Sequence, residues 1–494
     1  MKYKIFPPIG IARLGNSDDF FVGPEWPGGL GVEIAADGTE TDVTSLKDQQ
    51  FRVKRQAARF RIFEFEDETV LNGQPIQLPP GALIKWSVHL ANKKTAIQRT
   101  FDPPAAENIS LPITTPLSDK VLDGGVRDIL GANATPVAFT IRSVPTEPRP
   151  NYLGELRTDS LQHLLVFGGR GDSFGDRQKL NHYYKNESWY DDVSDGPVKA
   201  EIIFPDGTTI SDVEPAWVIV APPDFAPTIP AIVTLHDLLF QVGYEHFNLP
   251  IPAVPSFTEH IYPIVKRAGD FQWVNPNEVW SKISNDFAEL SKSQTGATDP
   301  SLRTKTLEVL RKIQKDSTIL YKFTLMHFQN ELLDLWEGGE VKDDWRGIPA
   351  INREISPEGL TRAALGAGVG ARLQPGIEAG NILKIKQLYS TPFSFRFSNN
   401  LLKAGDITAF MAVPWQADFW RCDNFWWPSQ RPDIIRRSTN QNDFERWVEG
   451  INSFSAMVSH VNKLGMVLPK TDDQGQVVSM QEEGRDLSAL PRRI

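Results

Sequence analysis

The chain has a single cysteine among 494 residues, Cys422. One thiol excludes an intramolecular disulfide and any paired Cys-x-x-Cys motif. Long apolar runs are also missing, and none approaches the about 20 residues that span a bilayer. The N-terminal stretch Met1-Lys2-Tyr3-Lys4-Ile5-Phe6-Pro7-Pro8 is too short in apolar residues, and too broken by proline, for a signal peptide. The cytoplasm is therefore the default address, with non-classical export as the other. Positive charge is in deficit: 52 Lys and Arg against 62 Asp and Glu give −10. That balance argues against a nucleic-acid partner, because phosphate contacts need a basic surface. There is no His-Glu-x-x-His, no Gly-x-Ser-x-Gly and no P-loop. The eight histidines lack metal-ligand spacing and read as structural or surface residues. A Cys/His nucleophile pair stays open, because such partners meet in space.

Proline (37) and glycine (36) are plentiful, which suits short strands and shaped loops. Residues 1 to about 250 read mostly as β. Ala58 to Glu66, Val137 to Arg142 and Lys199 to Thr208 alternate polar and apolar, the last with an Asp206-Gly207 turn signal. Leu164 to Phe167 and Ala216 to Ala221 are continuous apolar runs suited to strands buried on both faces. Near 255 the period changes. Val279, Ile283, Phe287 and Leu290 follow Asn275-Pro276 at helical spacing, and Leu307, Leu310 and Ile313 mark a second helix. Residues 320–336 mark a third. The Ala364 to Ala371 stretch, with three alternate glycines, lacks a dinucleotide-binding setting and reads as a flexible loop. The last ~20 residues are polar and are expected to fray. The reading is an α+β protein, large, multi-lobed and β-rich with a central helical layer. Its regions are 1–150, 151–254, 255–340 with the helices, and 341–494 with Cys422.

Three segments carry polar chemistry. Gly168-Gly169-Arg170-Gly171-Asp172-Ser173 follows an apolar strand. It is either a tight connection or a turn that presents N–H groups to an anion. Asp191-Asp192-Val193-Ser194-Asp195 packs three carboxylates into five residues. They read as caps on backbone N–H groups, as a cation site, or as an acid/base group. The third segment holds Cys422 amid Trp415, Trp420, Trp426 and Trp427, with Asp418 four residues upstream. A lone cysteine is usually a buried small hydrophobe. Here the aromatic setting points to a buried wall or a pocket. A carboxylate there must be paired, or have its pKa raised toward that of a proton acceptor. If this segment is helical, Asp418 and Cys422 lie one turn apart. Thiol, indole and carboxylate are the parts of a thioether-linked tryptophan quinone.

Taken in order, these segments resemble the lysine ε-oxidase/glycine oxidase family of cysteine tryptophylquinone proteins. The resemblance runs through Phe6 to Ser17, Val22 to Glu25, Leu165 to Gly169, Asp191 to Val198, Trp217 to Pro227, Pro414 to Cys422 and Trp426 to Pro432. It implies oxidative deamination of a primary amine or amino acid with O2, giving an aldehyde or oxo acid, ammonia and hydrogen peroxide. Cys422 matches the cysteine that donates the thioether sulfur, and Asp418 matches the aspartate needed for cofactor formation. The quinone tryptophan lies downstream in the family. Beyond the Trp426-Trp427 pair, which would sit beside the cofactor, only Trp447 remains. The family often places a tryptophan three residues before a Leu-Gly pair; here Val461 precedes Leu464-Gly465. If that is the quinone position, the chain cannot make the usual cofactor. The resemblance also implies a maturation flavoprotein and a homo-oligomer. Arg13 or Arg431 could hold a substrate carboxylate or serve a structural ion pair. Two rivals remain: a quinone-free member with a free Cys422 thiol that binds a ligand or reacts differently, and a non-enzymatic interaction protein.

Overall fold

The structure is a computed structural model. It describes all residues except 67–72, 98–102, 114–116, 143–146, 293–295, 316–323, 371–375, 399, 422–427, 474–475 and 492–494. Among the described residues the principal sheet has sixteen strands, of which ten form its body: β1 (Lys2–Phe6), β2 (Ile9–Arg13), β3 (Arg55–Phe65), β4 (Leu83–Asn92), β5 (Leu122–Leu130), β6 (Val137–Thr140), β7 (Tyr152–Thr158), β8 (Leu164–Gly168), β9 (Ser194–Ile203) and β10 (Ala216–Ala221). Nine of them run in the order β6-β7-β8-β3-β2-β10-β9-β4-β5, and β1 pairs with the far half of β3. The sheet draws strands from both sides of residue 150. Along this path every pair is antiparallel except β2 and β10, which align Ile9 with Trp217 and Arg13 with Ala221. The sheet curls until its two ends meet: Arg127 of β5 donates to the Ala138 carbonyl of β6 at 3.2 Å.

The apolar runs behave as their composition dictates. β8 and β10 are buried along their whole length, at the centre of the sheet. The Asp206-Gly207 turn forms, with Gly207 at φ +86° and its N–H on the Phe204 carbonyl. β9 and β4 cross so closely at Gly196 that a Cβ there would overlap the His89 carbonyl oxygen.

The helical layer comprises α1 (Leu235–Phe247), α2 (Tyr262–Asp270), α3 (Ser301–Lys315), α4 (His327–Glu337) and α5 (Pro357–Gly366). α1 opens with a reciprocal capping box between Thr234 and Asp237. Gln241 of α1 accepts the Phe328 N–H at 3.0 Å, joining α1 to α4. In α3, Leu307, Leu310 and Ile313 are buried as their spacing requires. The α+β class is as expected, but three local expectations fail. The helix after Asn275-Pro276 is reduced to a 3-10 turn and the four-residue helix Phe287–Leu290. Asn275 and Asn277 draw the Asn277 and Val279 N–H groups into side-chain turns, which compete with helical bonding. The glycine-rich stretch is partly the end of α5. Past it, Gly368 accepts the Leu235 N–H, and Gly370 lies so close to Thr234 that a side chain would not fit. The C-terminal ~20 residues do not fray where described. Met466–Thr471 and Val477–Glu483 form a hairpin, and buried Arg485 donates to the Glu449 and Trp447 carbonyls.

The close approach at Gly196 and the open surroundings of Gly366 predict opposite outcomes. Gly196→Ala should cost more than about 3 kcal/mol in urea denaturation, because strand backbones must separate. Gly366→Ala, with nothing within 4 Å of the new methyl, should be neutral or stabilising by about 0.5–1 kcal/mol.

Candidate active site

The segment leading to Cys422 forms a six-residue helix, α6 (Trp415–Trp420), preceded by Pro414, which offers no side-chain cap. Its first N–H still needs a partner. Asp191 supplies it: Oδ2 accepts the Trp415 N–H at 2.9 Å across 224 residues of sequence. The same oxygen accepts Lys94 Nζ at 2.6 Å, and Oδ1 accepts Asn92 Nδ2 at 3.0 Å. Asp191 and Lys94 are both completely buried.

Its neighbour Asp192 turns the other way. Its Oδ2 accepts the Gly171 and Asp172 N–H groups at 2.8 and 3.1 Å. Gly169 must stay glycine, since a Cβ there would overlap this carboxylate. The anion presented to the Gly-Gly-Arg-Gly-Asp-Ser turn is thus the protein's own. Among the described residues no donor reaches Asp192 Oδ1. Burial, then repulsion from Asp172, pushes this carboxyl well above the usual range, which suits the neutral acid. The turn in turn grips α6: Ser173 Oγ donates to Gln416 Oε1 at 2.7 Å, and Gln416 Nε2 donates to the Gly171 carbonyl at 3.2 Å. Asp195 takes four donors, from Thr408 N and Oγ1, Ile407 N and Trp217 Nε1. Burial raises it to about 6 against the pull of Thr408. The three carboxylates are therefore caps, and the N–H groups they hold lie far away in sequence.

The far end of α6 meets the other quoted segments. Phe419 packs on Trp415 (centroids 5.0 Å apart) and on Phe225 (6.2 Å), and Phe225 packs on Trp447 (4.9 Å). Arg431 Nε donates to the Phe419 carbonyl at 2.8 Å, and its guanidinium stands 5.7 Å from the Trp447 ring centre. Trp447 is fully buried, and its indole N–H donates to the Gly465 carbonyl at 3.0 Å. Asp418 lies in the first turn of α6 and is 5% exposed. α6 ends at Trp420, and Arg421 is extended. Of the four tryptophans of the segment, Trp415 is buried and Trp420 half-buried. Cys422, Trp426 and Trp427 lie outside the described residues.

The Val461 position follows a helix that packs at α6. On α7 (Phe454–His460), Phe454 and Val458 pack with Val413 and Ala417 at α6. Val461 is buried and opens the 3-10 turn that follows α7. Neither arginine is left for a substrate carboxylate in this arrangement. Arg13 binds Glu378 at 2.9 Å and the carbonyls of Pro222 and Ala367, and Arg431 binds Asp433 at 2.8 Å besides Phe419. Nothing local in the sequence marked Lys94, Asn92 or Gln416. Adjacent lysines after a strand ordinarily read as solvated.

Lys47 reaches this region from the other side, buried, with Nζ on the carbonyls of Asn462 and Gly484 at 2.8 and 2.9 Å. Burial pulls its ammonium down to about 7. Below pH 7 both folded and unfolded chains hold the proton, and the folded state bears the full cost of burying the charge. Between about pH 7 and 10 only the unfolded chain holds it, so this residue's contribution to stability rises with pH. Lys47→Met should flatten the gain between pH 7 and 9 by of order 2 kcal/mol in urea titrations. Asp191→Ala should cost about 3–5 kcal/mol, because the Lys94 charge is left buried and α6 loses its cap; thermal and urea unfolding check this.

A family model for the L-lysine epsilon oxidase N-terminal region matches residues 6–220, and one for the L-lysine epsilon oxidase C-terminal domain matches residues 311–443. The L-lysine 6-oxidase of Marinomonas mediterranea is 29% identical over 535 residues, covering 85% of this chain and 71% of the relative. A structure of the epsilon-lysine oxidase from that organism superposes with a TM-score of 0.79 at 23% identity, covering 98% of this chain and 95% of the other. The crystal structure of the Schiff base intermediate of that enzyme with L-Lys gives 0.77 at 22% identity over the same shares. The solved structures establish the shared fold. Matched at both its N-terminal and C-terminal portions, the chain belongs to the L-lysine epsilon-oxidase family.

Proposed function

We propose that the protein oxidatively deaminates a primary amine or amino acid with O2, releasing an aldehyde or oxo acid, ammonia and hydrogen peroxide. Its cofactor would be a cysteine tryptophylquinone built from Cys422 and Trp447. The observation that carries this reading is the convergence on α6. Segments that are distant in sequence supply Asp191, Gln416's partners, Phe225 and Arg431 to the helix that bears Asp418 and leads into Cys422. Trp447 fits as the indole partner. It is buried, and Arg431 links it to the Phe419 carbonyl, three residues before Cys422. Such a quinone supplies an electrophilic carbonyl and a sink for two electrons.

The chain's own residues would do the rest. Asp418 would take the proton from the substrate carbon next to nitrogen, and its low exposure favours a carboxylate poised for proton transfer. Phe225, Phe419 and Trp415 would exclude water from the ring's surroundings. Asp191 and Gln416 would hold α6, and therefore Asp418, in place. L-lysine heads the substrate panel, since the related enzyme has been captured with it. A separate flavoprotein would install the quinone, and Trp426 and Trp427 would lie beside it.

A second reading follows from Val461, the buried aliphatic side chain three residues before Leu464-Gly465. If the indole belongs there, the chain is a quinone-free member with a free Cys422 thiol that binds a ligand or reacts differently. Intact mass separates the two. Crosslinking with quinone formation adds about 28 Da, from two oxygens gained and four hydrogens lost. A visible absorbance and a Cys422–Trp447 peptide should accompany the shift. Peroxide release on L-lysine, glycine or another amine should then vanish in Cys422→Ser and fall at least about 100-fold in Asp418→Asn. An unmodified mass and a titratable thiol, after co-expression with the flavoprotein, would overturn the oxidase reading.

A further inference from the structure

Lys47 is a buried cation without an anion. It is 5% exposed, and among the described residues it makes no ion pair. Its Nζ donates to the Asn462 carbonyl at 2.8 Å and to the Gly484 carbonyl at 2.9 Å. A neutral amine has two N–H bonds, one for each carbonyl, whereas an ammonium has a third to satisfy. The lysine stem lies against Gly484, where a Cβ would come within 2.6 Å of Lys47 Cδ. The acids that face it are already engaged. Glu482 holds Arg485 at 2.8 Å, Asp486 holds Lys463 at 2.8 Å, and on its own loop Asp48 holds Arg52 at 2.7 Å. The two carbonyls belong to segments that border the candidate site. Asn462 sits in the 3-10 turn after α7, and α7 packs at α6. Gly484 follows the strand Val477–Glu483 and precedes Arg485, which holds the Glu449 carbonyl at 3.0 Å and the Trp447 carbonyl. The C-terminal hairpin is a two-stranded sheet apart from the principal sheet, so its outer strand can leave without breaking the principal ladder.

We propose that Lys47 is a proton-operated clasp: as a neutral amine it closes residues 477–490 over the Trp447 segment, and as an ammonium it releases them. The clasp rests on its own geometry and stands whether or not a quinone forms. Burial pulls the ammonium down to about 7, with Lys463 and Arg485 adding to the fall against Glu482 and Asp486. In the released form Lys47 meets water and keeps its proton up to about pH 10.4. Below pH 7 closed and open forms both carry the charge, so the opening equilibrium is level and at its most open. Between pH 7 and about 10 only the open form carries it, so opening becomes about ten-fold rarer for each unit that pH rises.

Hydrogen exchange of the full chain, read by mass spectrometry on peptides from 477–490 and from β10, tests this. The opening constant of 477–490, corrected for intrinsic amide exchange, should fall about ten-fold per unit from pH 7 to 9 and stay level between pH 6 and 7. β10, in the central sheet, should open at least about 100-fold less often throughout. Lys47→Met keeps the aliphatic stem, and Lys47→Gln keeps two N–H donors. Neither side chain can take up a proton, so in both the pH slope should vanish. A level profile from pH 7 to 9 in the wild type, the wild-type slope in either variant, or β10 opening together with 477–490 would overturn the proposal. The intact mass of the same samples decides the oxidase reading separately.

Discussion

A buried carboxylate holds the candidate site together. Asp191 ties the first N–H of α6 to Lys94 and Asn92 at the end of β4, so the short helix is anchored to the central sheet and not to its own sequence. A six-residue helix has too few internal bonds to persist alone, because nucleation costs more than so few bonds return. Its direction, and with it the position of Asp418, is set by contacts from elsewhere. The arrangement has the usual weakness of a buried ion pair: removing one partner strands the other.

The same economy of charge runs through the region. Asp192 fills the N–H groups of the Gly171 turn, Asp195 collects four donors around Thr408, and Arg13 and Arg431 are occupied by carbonyls and carboxylates of the protein. Groups that in isolation suggest ligand binding are turned inward here as structural ties. Asp418 is buried in the first turn of α6.

Much of the sheet was legible because period-two alternation and continuous apolar runs report burial directly. β8, β10 and the Asp206-Gly207 hairpin fall where Leu164 to Phe167, Ala216 to Ala221 and the turn signal put them. The helix after Asn275-Pro276 was misread because asparagine side chains captured the N–H groups a helix would use. The C-terminal hairpin was misread because polar composition hides the buried Arg485 that fastens it. In the site, the residue types around Asp418 and Cys422 were visible, but Lys94, Gln416 and the partners of Phe225 were not.

The sequence by itself determined the classes of behaviour. One cysteine ruled out an intramolecular disulfide, the acidic balance argued against nucleic acid, and ordered motifs pointed to an oxidase lineage. Only the tertiary structure decided which polar groups are free. Whether a carboxylate is a cap or a ligand site depends on donors brought from far along the chain, as Trp415 is to Asp191, 224 residues away. Hydrogen bonding is short-ranged in space and indifferent to separation along the chain, so no local pattern of residues can encode it.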